Sequence, residues 1–466
     1  MKDAIQRDVV VAGGGLAGTA AALALSEGGA GTSGNSITVL DRRPALGGRA
    51  YSYEHPALEE TIDSQHVILG CCTNLVELME KAGAAETIRW YDELFFLEPN
   101  GNRSRLRPGP LPAPGHQTIS FLRAPMLGIG DKAGIARGLL EFLRGYPEDD
   151  AESFATWLKR TRQTERAIRH FWEPVVVGAL NDGFESCSTK YAGKVFHESF
   201  LRSAGAGRLG IPALPLSEWL APLTDLARSR GVDVRSKTGM ISLEQVTGGR
   251  WCVRTDGAVF EANNVILAVD FKQTQKVLRG LPGGAAVAAD LDHFVAAPIT
   301  TVHLWYDREV VDLDHAVLLD TRIQWVFTKS RIRRWKAERG TYLELVISAS
   351  WPELKMSREE ILRAALEELA MFFPAVKTAR LVKSCVLKEA RATFSVTPGL
   401  DRYRPAQKTQ WPGLFLAGDW TRTEWPSTME GAVRSGRLAA GELVGERTRY
   451  MADELPPGGL MPLWMG

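Results

Sequence analysis

The chain has 466 residues, 45% apolar and 24% charged, an ordinary globular balance with length enough for two packed domains. A formal net charge of +1 argues against a nucleic-acid partner, which calls for a basic excess. Five cysteines (Cys71, Cys72, Cys187, Cys252, Cys385) without CxxC spacing offer neither a disulfide framework nor a zinc site and suit a reducing cytosol, the adjacent Cys71 and Cys72 reading as small buried side chains.

In chain order, the first feature is Val9–Ser26, VVVAGGGLAGTAAALALS, uncharged and nearly long enough to cross a bilayer. Glycines 13, 14, 15 and 18 interrupt it, and Asp3, Arg7 and Asp8 give no basic flank. A strand, a tight turn and a helix are expected instead, and no other stretch suggests an integral membrane protein. Asp8–Ala12 is the buried strand, Gly13-Gly14-Gly15-Leu16-Ala17-Gly18 has the form GxGxxG, and the helix runs from Leu16 to about Ser26. Gly13 permits the turn, Gly15 lets the backbone approach a pyrophosphate, and Gly18 lets helix and strand close up. The helix start adds free N–H groups and a positive dipole end. After a long, flexible loop, Glu27–Asn35, a second strand, Ser36–Leu40, ends at Asp41, where the ribose of a dinucleotide needs an acceptor.

Residues 131–144 read as an amphipathic helix, and 151–183 carry two more. Gly205–Gly210 repeats the GxGxxG form. No buried strand precedes it, and Pro212 and Pro215 prevent a helix from opening in register, so a loop and no nicotinamide site is expected there. Gly231–Arg235 and Lys237–Leu243 are short strands, followed by a hairpin of Arg250–Thr255, the turn Asp256-Gly257 and Val259–Ala262, and then a separate buried strand, Asn264–Val269. Ile299–Tyr306, Gln324–Lys329, Tyr342–Ala349 and Leu381–Ala390 predict an antiparallel sheet with the helix Ser357–Phe373 packed on it. Near the end, LFLAGDWTRTEWPSTMEGAVRSG places an aspartate at the end of a buried strand, which is unfavourable unless something pairs with it. The tail Leu455–Gly466 reads as irregular.

The glycine turn, DRRPALGGRA at residues 41–50, and GDW…MEGAVRSG together resemble the FAD-dependent amine oxidase and phytoene desaturase superfamily. The resemblance implies FAD and an α/β fold. A discontinuous Rossmann-like FAD-binding domain (1–70, 205–272, 395–448) would join a substrate domain made of a helical lobe (71–204) and an antiparallel sheet (273–394), leaving the tail 449–466. It implies that Gly13, Gly15, Leu16 and Gly18 form the phosphate turn. Asp41, one methylene shorter than the family's usual glutamate, would bind the adenosine ribose. Gly48 and Arg49 would reach the pyrophosphate with Arg42 and Arg43 nearby, and Met240, usually valine, would meet the adenine. Gly418 would close the last strand so that Asp419 accepts hydrogen bonds from the ribityl or phosphate groups. Thr428, Met429 and Ala432 would set a helix start at the pyrimidine end, its dipole favouring the anionic reduced flavin.

A finer likeness rests on three segments. Ile62–Gly70 (IDSQHVILG), Phe171–Asn181 and Pro215–Leu220 resemble the hydroxysqualene dehydroxylases, with Ser64 at the family's glycine. This implies reductive removal of an allylic hydroxyl from hydroxysqualene, giving squalene. Gln65 and His66 would lie under the flavin. His66 is the first candidate proton donor and Glu173 the second, with Asn181 placed for the hydroxyl; each also has a plain structural reading as a turn, cap or surface pair. A cytoplasmic enzyme is implied, attached peripherally to the inner membrane face and near squalene-pathway partners. Helix 131–144 (Ile135, Leu139, Leu140, Leu143) and the basic Lys329–Arg339 would touch lipid, or else be a core helix and a solvated charge run. A carotenoid-type desaturase, an amine oxidase with an aromatic cage, and a non-catalytic flavin-bound scaffold are the competing readings.

Overall fold

The computed structural model describes residues 4–27 and 36–464, so the flexibility expected of Glu27–Asn35 concerns residues that lie, save Glu27, outside the described ones. The first strand, Ile5–Ala12, starts earlier than expected and is fully buried from Val9 onward. The helix Leu16–Glu27 is buried from Leu16 to Leu25, which is why it is Ala/Leu-rich with no polar face. The strand lies between Ile37–Leu40 and Val259–Leu267, parallel to both. Asp233–Arg235 and Leu414–Leu416 extend the same parallel set. All five strands therefore end at one sheet edge, the position where open α/β sheets receive ligands.

The hairpin strand and the buried strand expected at Val259–Ala262 and Asn264–Val269 are one continuous element. Its first half pairs antiparallel with Trp251–Thr255, and its second half pairs with Leu414–Leu416. A second seven-stranded sheet carries Ala296–Tyr306, Trp325–Thr328, Thr341–Ser348 and Leu381–Phe394, with Arg358–Phe372 as its helix. It also takes in Leu94–Leu97, Arg103–Leu106 and His315–Leu318, so the helical lobe contributes two strands. The expected α/β class, with a nucleotide part and a sheet-plus-helix part, is the one observed.

The second GxGxxG run is not wholly a loop. Leu209–Pro212 forms a buried strand between Ile68–Leu69 and Ile88–Tyr91, and the helix opens only after Pro215, as Leu216–Ser229. The prolines moved the helix start away from the glycines rather than abolishing it. The lobe is fixed by aromatic packing: Trp172 meets Trp157 and Phe196 edge-on at 5.1 and 4.7 Å, and its indole N–H donates to Gln163 at 2.9 Å. Helix Ile129–Phe142 buries Ile135 and leaves Leu140 exposed. The tail folds back on the protein: the Gly458 and Leu460 N–H groups donate to the Arg202 and Ala113 carbonyls, and Met461 is buried. Among the described residues, no helix is long and apolar enough to cross a membrane.

Candidate active site

One cavity of about 1210 Å³ opens at the shared strand edge and runs between the two sheets. Every candidate residue from the sequence lines it except Gly18 and Glu173. Gly18 lies beneath it, where a Cβ would stand 1.9 Å from the Gly13 carbonyl oxygen and 3.0 Å from Val11.

At one end the glycines form a cradle without side chains. The Gly47 N–H donates to Gly14 O at 2.8 Å, and a Cβ on Gly48 would sit 2.9 Å from the Gly15 Cα. Gly13 and Gly48 have φ of 113° and 63°, backbone that only glycine holds easily. Two loops thus meet backbone to backbone at the start of the Leu16 helix, where N–H groups lack intrahelical partners. Asp41 accepts from the Gly14 and Arg43 N–H groups, both at 2.7 Å, so it braces the turn and still keeps lone pairs for a ribose. Arg43 turns onto the Gly48 carbonyl and the Tyr51 ring, while Arg42 is exposed and Met240 half-buried on the cavity wall.

The aspartate at the strand end is paired within the protein. Arg49 lies 2.5 Å from Asp419 Oδ1, and the Ser427 hydroxyl donates to Oδ2. Burial pushes the Asp419 carboxyl up, but Arg49 and Ser427 outweigh it and hold it below the ordinary range. Arg49 also donates to the Ala392 carbonyl at 3.0 Å, joining the second sheet to the nucleotide part. Gly418 donates to Ser435 Oγ, and Arg404 clamps the carbonyls of Asp419, Thr421 and Trp425. Thr428 caps the helix Met429–Leu443 by accepting from Gly431 N–H at 3.0 Å. The glycine cradle, the acid at the second strand and two helix starts on one cavity form a donor set that fits a dinucleotide with a second anionic or electron-rich end.

His66 is half-buried, with Nδ1 2.9 Å from the Ser64 carbonyl oxygen. Nδ1 therefore carries the proton, leaving Nε2 as a lone pair. Burial pushes the imidazole pKa below its ordinary value, against the Ser64 carbonyl and Asp63. His66 is thus a proton acceptor at neutral pH, not the donor expected. Glu173 is exposed beside Arg169 and Asp320 and forms no part of the cavity, so it cannot protonate a bound substrate. Asn181 is a brace: Nδ2 donates to Thr393 Oγ1 at 2.9 Å, and Oδ1 accepts from Ala349 N–H at 2.6 Å. It sits at φ 54° at the end of the helix Glu173–Leu180, where asparagine is tolerated. Asn181→Gly, which keeps that backbone and drops the brace, is expected to lose about 1–3 kcal/mol in denaturant unfolding. A raised KM with stability intact would restore its role at the substrate.

Of the basic run Lys329–Arg339, Lys329 and Arg333 turn inward, while Arg331, Arg334, Lys336 and Arg339 stay exposed as a solvated charge run. Lys329 is buried and Arg333 half-buried, and both pair with Asp63, at 2.5 and 2.8 Å; Lys329 also lies 2.7 Å from Glu344. Asp63 further accepts from Leu216 N–H, and Glu344 from Gln65 N–H at 2.6 Å. This cluster backs the Ser64–Val67 wall of the cavity. The farther cavity arm is apolar: Phe96, Val175, Val317, Trp325, Phe327 and Val346 line it. Gly178 makes room for Trp325, whose Nε1 would lie 3.0 Å from a Cβ there.

The sequence model of flavin-containing amine oxidoreductases matches residues 16–444. The chain belongs to this family. As a flavin-containing amine oxidoreductase family member it is a FAD-dependent oxidoreductase, and the cradle described above suits that cofactor. It is 25% identical to the 15-cis-phytoene desaturase of Synechococcus elongatus, over 94% of this chain and 96% of that one. It is 24% identical to the zeta-carotene desaturase of Synechocystis sp., over 96% and 99%. Putrescine oxidase bound to putrescine shares the fold, with a TM-score of 0.73 at 18% identity over 95% of this chain and 100% of that one.

Proposed function

We propose that this family member desaturates a long isoprenoid hydrocarbon of the carotenoid type. The observation that carries the reading is the cavity whose apolar arm leads off the nucleotide cradle. Full-length likeness to two carotenoid desaturases supports it. FAD held in the cradle would supply the two-electron oxidant, as acceptor of a hydride from one carbon of the hydrocarbon. The adjacent carbon then gives up a proton, and His66 Nε2 is the cavity-facing lone pair available to take it. The apolar walls hold the chain and exclude water, since they offer water no hydrogen bond.

Oxidised holoenzyme mixed anaerobically with phytoene or zeta-carotene should bleach its flavin and yield a longer polyene. His66→Ala should slow that bleaching about 10²–10⁴-fold with FAD still bound. Unchanged flavin with both hydrocarbons would sink the reading. The second reading, removal of the hydroxyl from hydroxysqualene, is favoured by the likeness of the Ile62–Gly70 wall segment to the dehydroxylases. It needs a proton donor, which neither a neutral His66 nor an exposed Glu173 supplies. Reduced enzyme reoxidised by hydroxysqualene would favour it over desaturation.

A hydrocarbon substrate resides in membrane, and attachment to an anionic bilayer forms part of the proposal. Leu122, Ile129, Leu460 and Leu463 are exposed, Ile129 to 89%, on neighbouring elements tied by Lys132 to Leu122 O and by Leu460 to Ala113 O. Arg123 and Lys132 supply charge complementary to anionic headgroups. Ile129→Asp with Leu463→Asp should abolish co-sedimentation with phosphatidylglycerol vesicles; unchanged co-sedimentation would reject this surface.

A further inference from the structure

Lys194 belongs to the short helix Thr189–Val195, and the chemistry above does not use it. Its side chain is buried, yet it lines the cavity. The ammonium donates to Tyr146 Oη at 2.7 Å and lies over the Tyr146 and Trp425 rings at 4.9 and 5.0 Å. Trp425 leans on the first turn of the Met429 helix, its Cβ 3.4 Å from where a Cβ on Gly431 would stand.

Among the described residues, no carboxylate pairs with Lys194. Glu198 is held by Arg202 at 2.8 Å, Glu430 and Glu454 are both held by Arg434, and Glu424 is exposed. A lysine is rarely buried without such a partner. Burial depresses its pKa, opposed by Glu198 and reinforced by Arg434. The open side of this charge is the cavity.

The direction of the cofactor follows from the other end. The cradle of Gly13, Gly15 and Gly48 would take the pyrophosphate, and Asp41 with Met240 would hold the adenosine on one side. The rest of FAD would then lie the other way, where Asp419 and the helix start at Met429 line the cavity. The helix N-terminus and the Lys194 ammonium bring positive charge to that arm, while Arg49 beside it is neutralised by Asp419.

We propose that Lys194 is a potential-setting residue, supplying with the Met429 helix start the positive charge that favours the reduced, anionic form of bound FAD. Charge near the electron-rich edge of a cofactor is the protein's means of tuning it. The proposal rests on FAD binding and not on the identity of the substrate.

The test is the midpoint potential of bound FAD, measured by reductive titration against a reporter dye, in the holoenzyme without substrate. Lys194→Met should weaken the preference for the reduced state about tenfold, a shift of about 30 mV to more negative potential for a two-electron couple. Lys194→Arg, which keeps the charge, should stay near the parent value. A purely structural lysine would lower the melting temperature of Lys194→Met and leave the potential unmoved, and that result overturns the proposal. So does an equal shift in Lys194→Arg and Lys194→Met. If Lys194→Met does not retain FAD, Lys194→Gln, which keeps a donor towards Tyr146 and drops the charge, carries the same comparison. Desaturase activity could be absent and this result would still stand.

Discussion

Lys329→Met is expected to lose about 3–5 kcal/mol of folding stability, because among the described residues it leaves the buried Glu344 with no paired cation and Asp63 with Arg333 alone. The four side chains carry two charges of each sign, so the intact cluster is neutral, and their mutual attraction offsets the desolvation of each. Removing one partner leaves that desolvation uncompensated. Replacing Lys329 and Glu344 together, as Lys329→Met with Glu344→Leu, should recover a large part of the loss, since an apolar pair carries no charge to desolvate. Denaturant unfolding of the single and double variants measures both. A single variant as stable as the parent would mean that water already reaches the cluster.

The same cluster sets an acid limit. Burial pushes Asp63 up, but Lys329 and Arg333 outweigh it and lower the carboxyl from 3.8 to about 2. Asp63 therefore contributes about 2 kcal/mol, fully present above its unfolded value and lost as the pH falls from 3.8 towards about 2. Glu344 works in the opposite sense, since burial raises it and its ionised form is disfavoured in the fold above its ordinary value. Without Lys329 the Asp63 depression shrinks, so the acid unfolding midpoint of Lys329→Met should move to higher pH. An unmoved midpoint would assign the depression to Arg333 alone.

These residues mark where the sequence stops being readable. The glycine turn, the following helix and Asp41 are local: each signal lies within one strand–turn–helix unit, and the physics of a close backbone approach names its residues. Lys329 and Asp63 are 266 positions apart, and a lysine followed by arginines has the same composition whether it faces solvent or an acid folded in from the far end of the chain. Lys194 fails for the same reason, since Trp425 and Tyr146 reach it only through tertiary packing. Leu94–Leu97 and His315–Leu318 are too short to show a period, and only their pairing with each other makes them strands. His66 was legible as a cavity residue but not in its role. The Ser64 carbonyl that fixes its tautomer is two residues away, and only the folded turn brings it to Nδ1.

Gly48→Ala is expected to cost the protein its cofactor more than its fold. The φ of 63° disfavours alanine by about 1–2 kcal/mol, and the new Cβ would stand 2.9 Å from the Gly15 Cα. That contact is backbone on one side and cannot rotate away, so the two glycine loops must part by some tenths of an ångström where their N–H groups converge. The core below is untouched, because Gly18 and the buried strand Val9–Ala12 keep their packing. FAD affinity should fall at least about tenfold, equivalent to about 1.4 kcal/mol, read from the flavin-to-protein absorbance ratio after dialysis. Gly101→Ala is the control: its φ is 90°, and a Cβ there meets nothing within 4 Å. It bears a comparable backbone penalty away from the cradle, so it should lower the melting temperature and keep FAD as the parent does. If both variants retain FAD equally, the close approach of Gly15 and Gly48 is not what holds the pyrophosphate, and the Leu16 helix start must carry it alone.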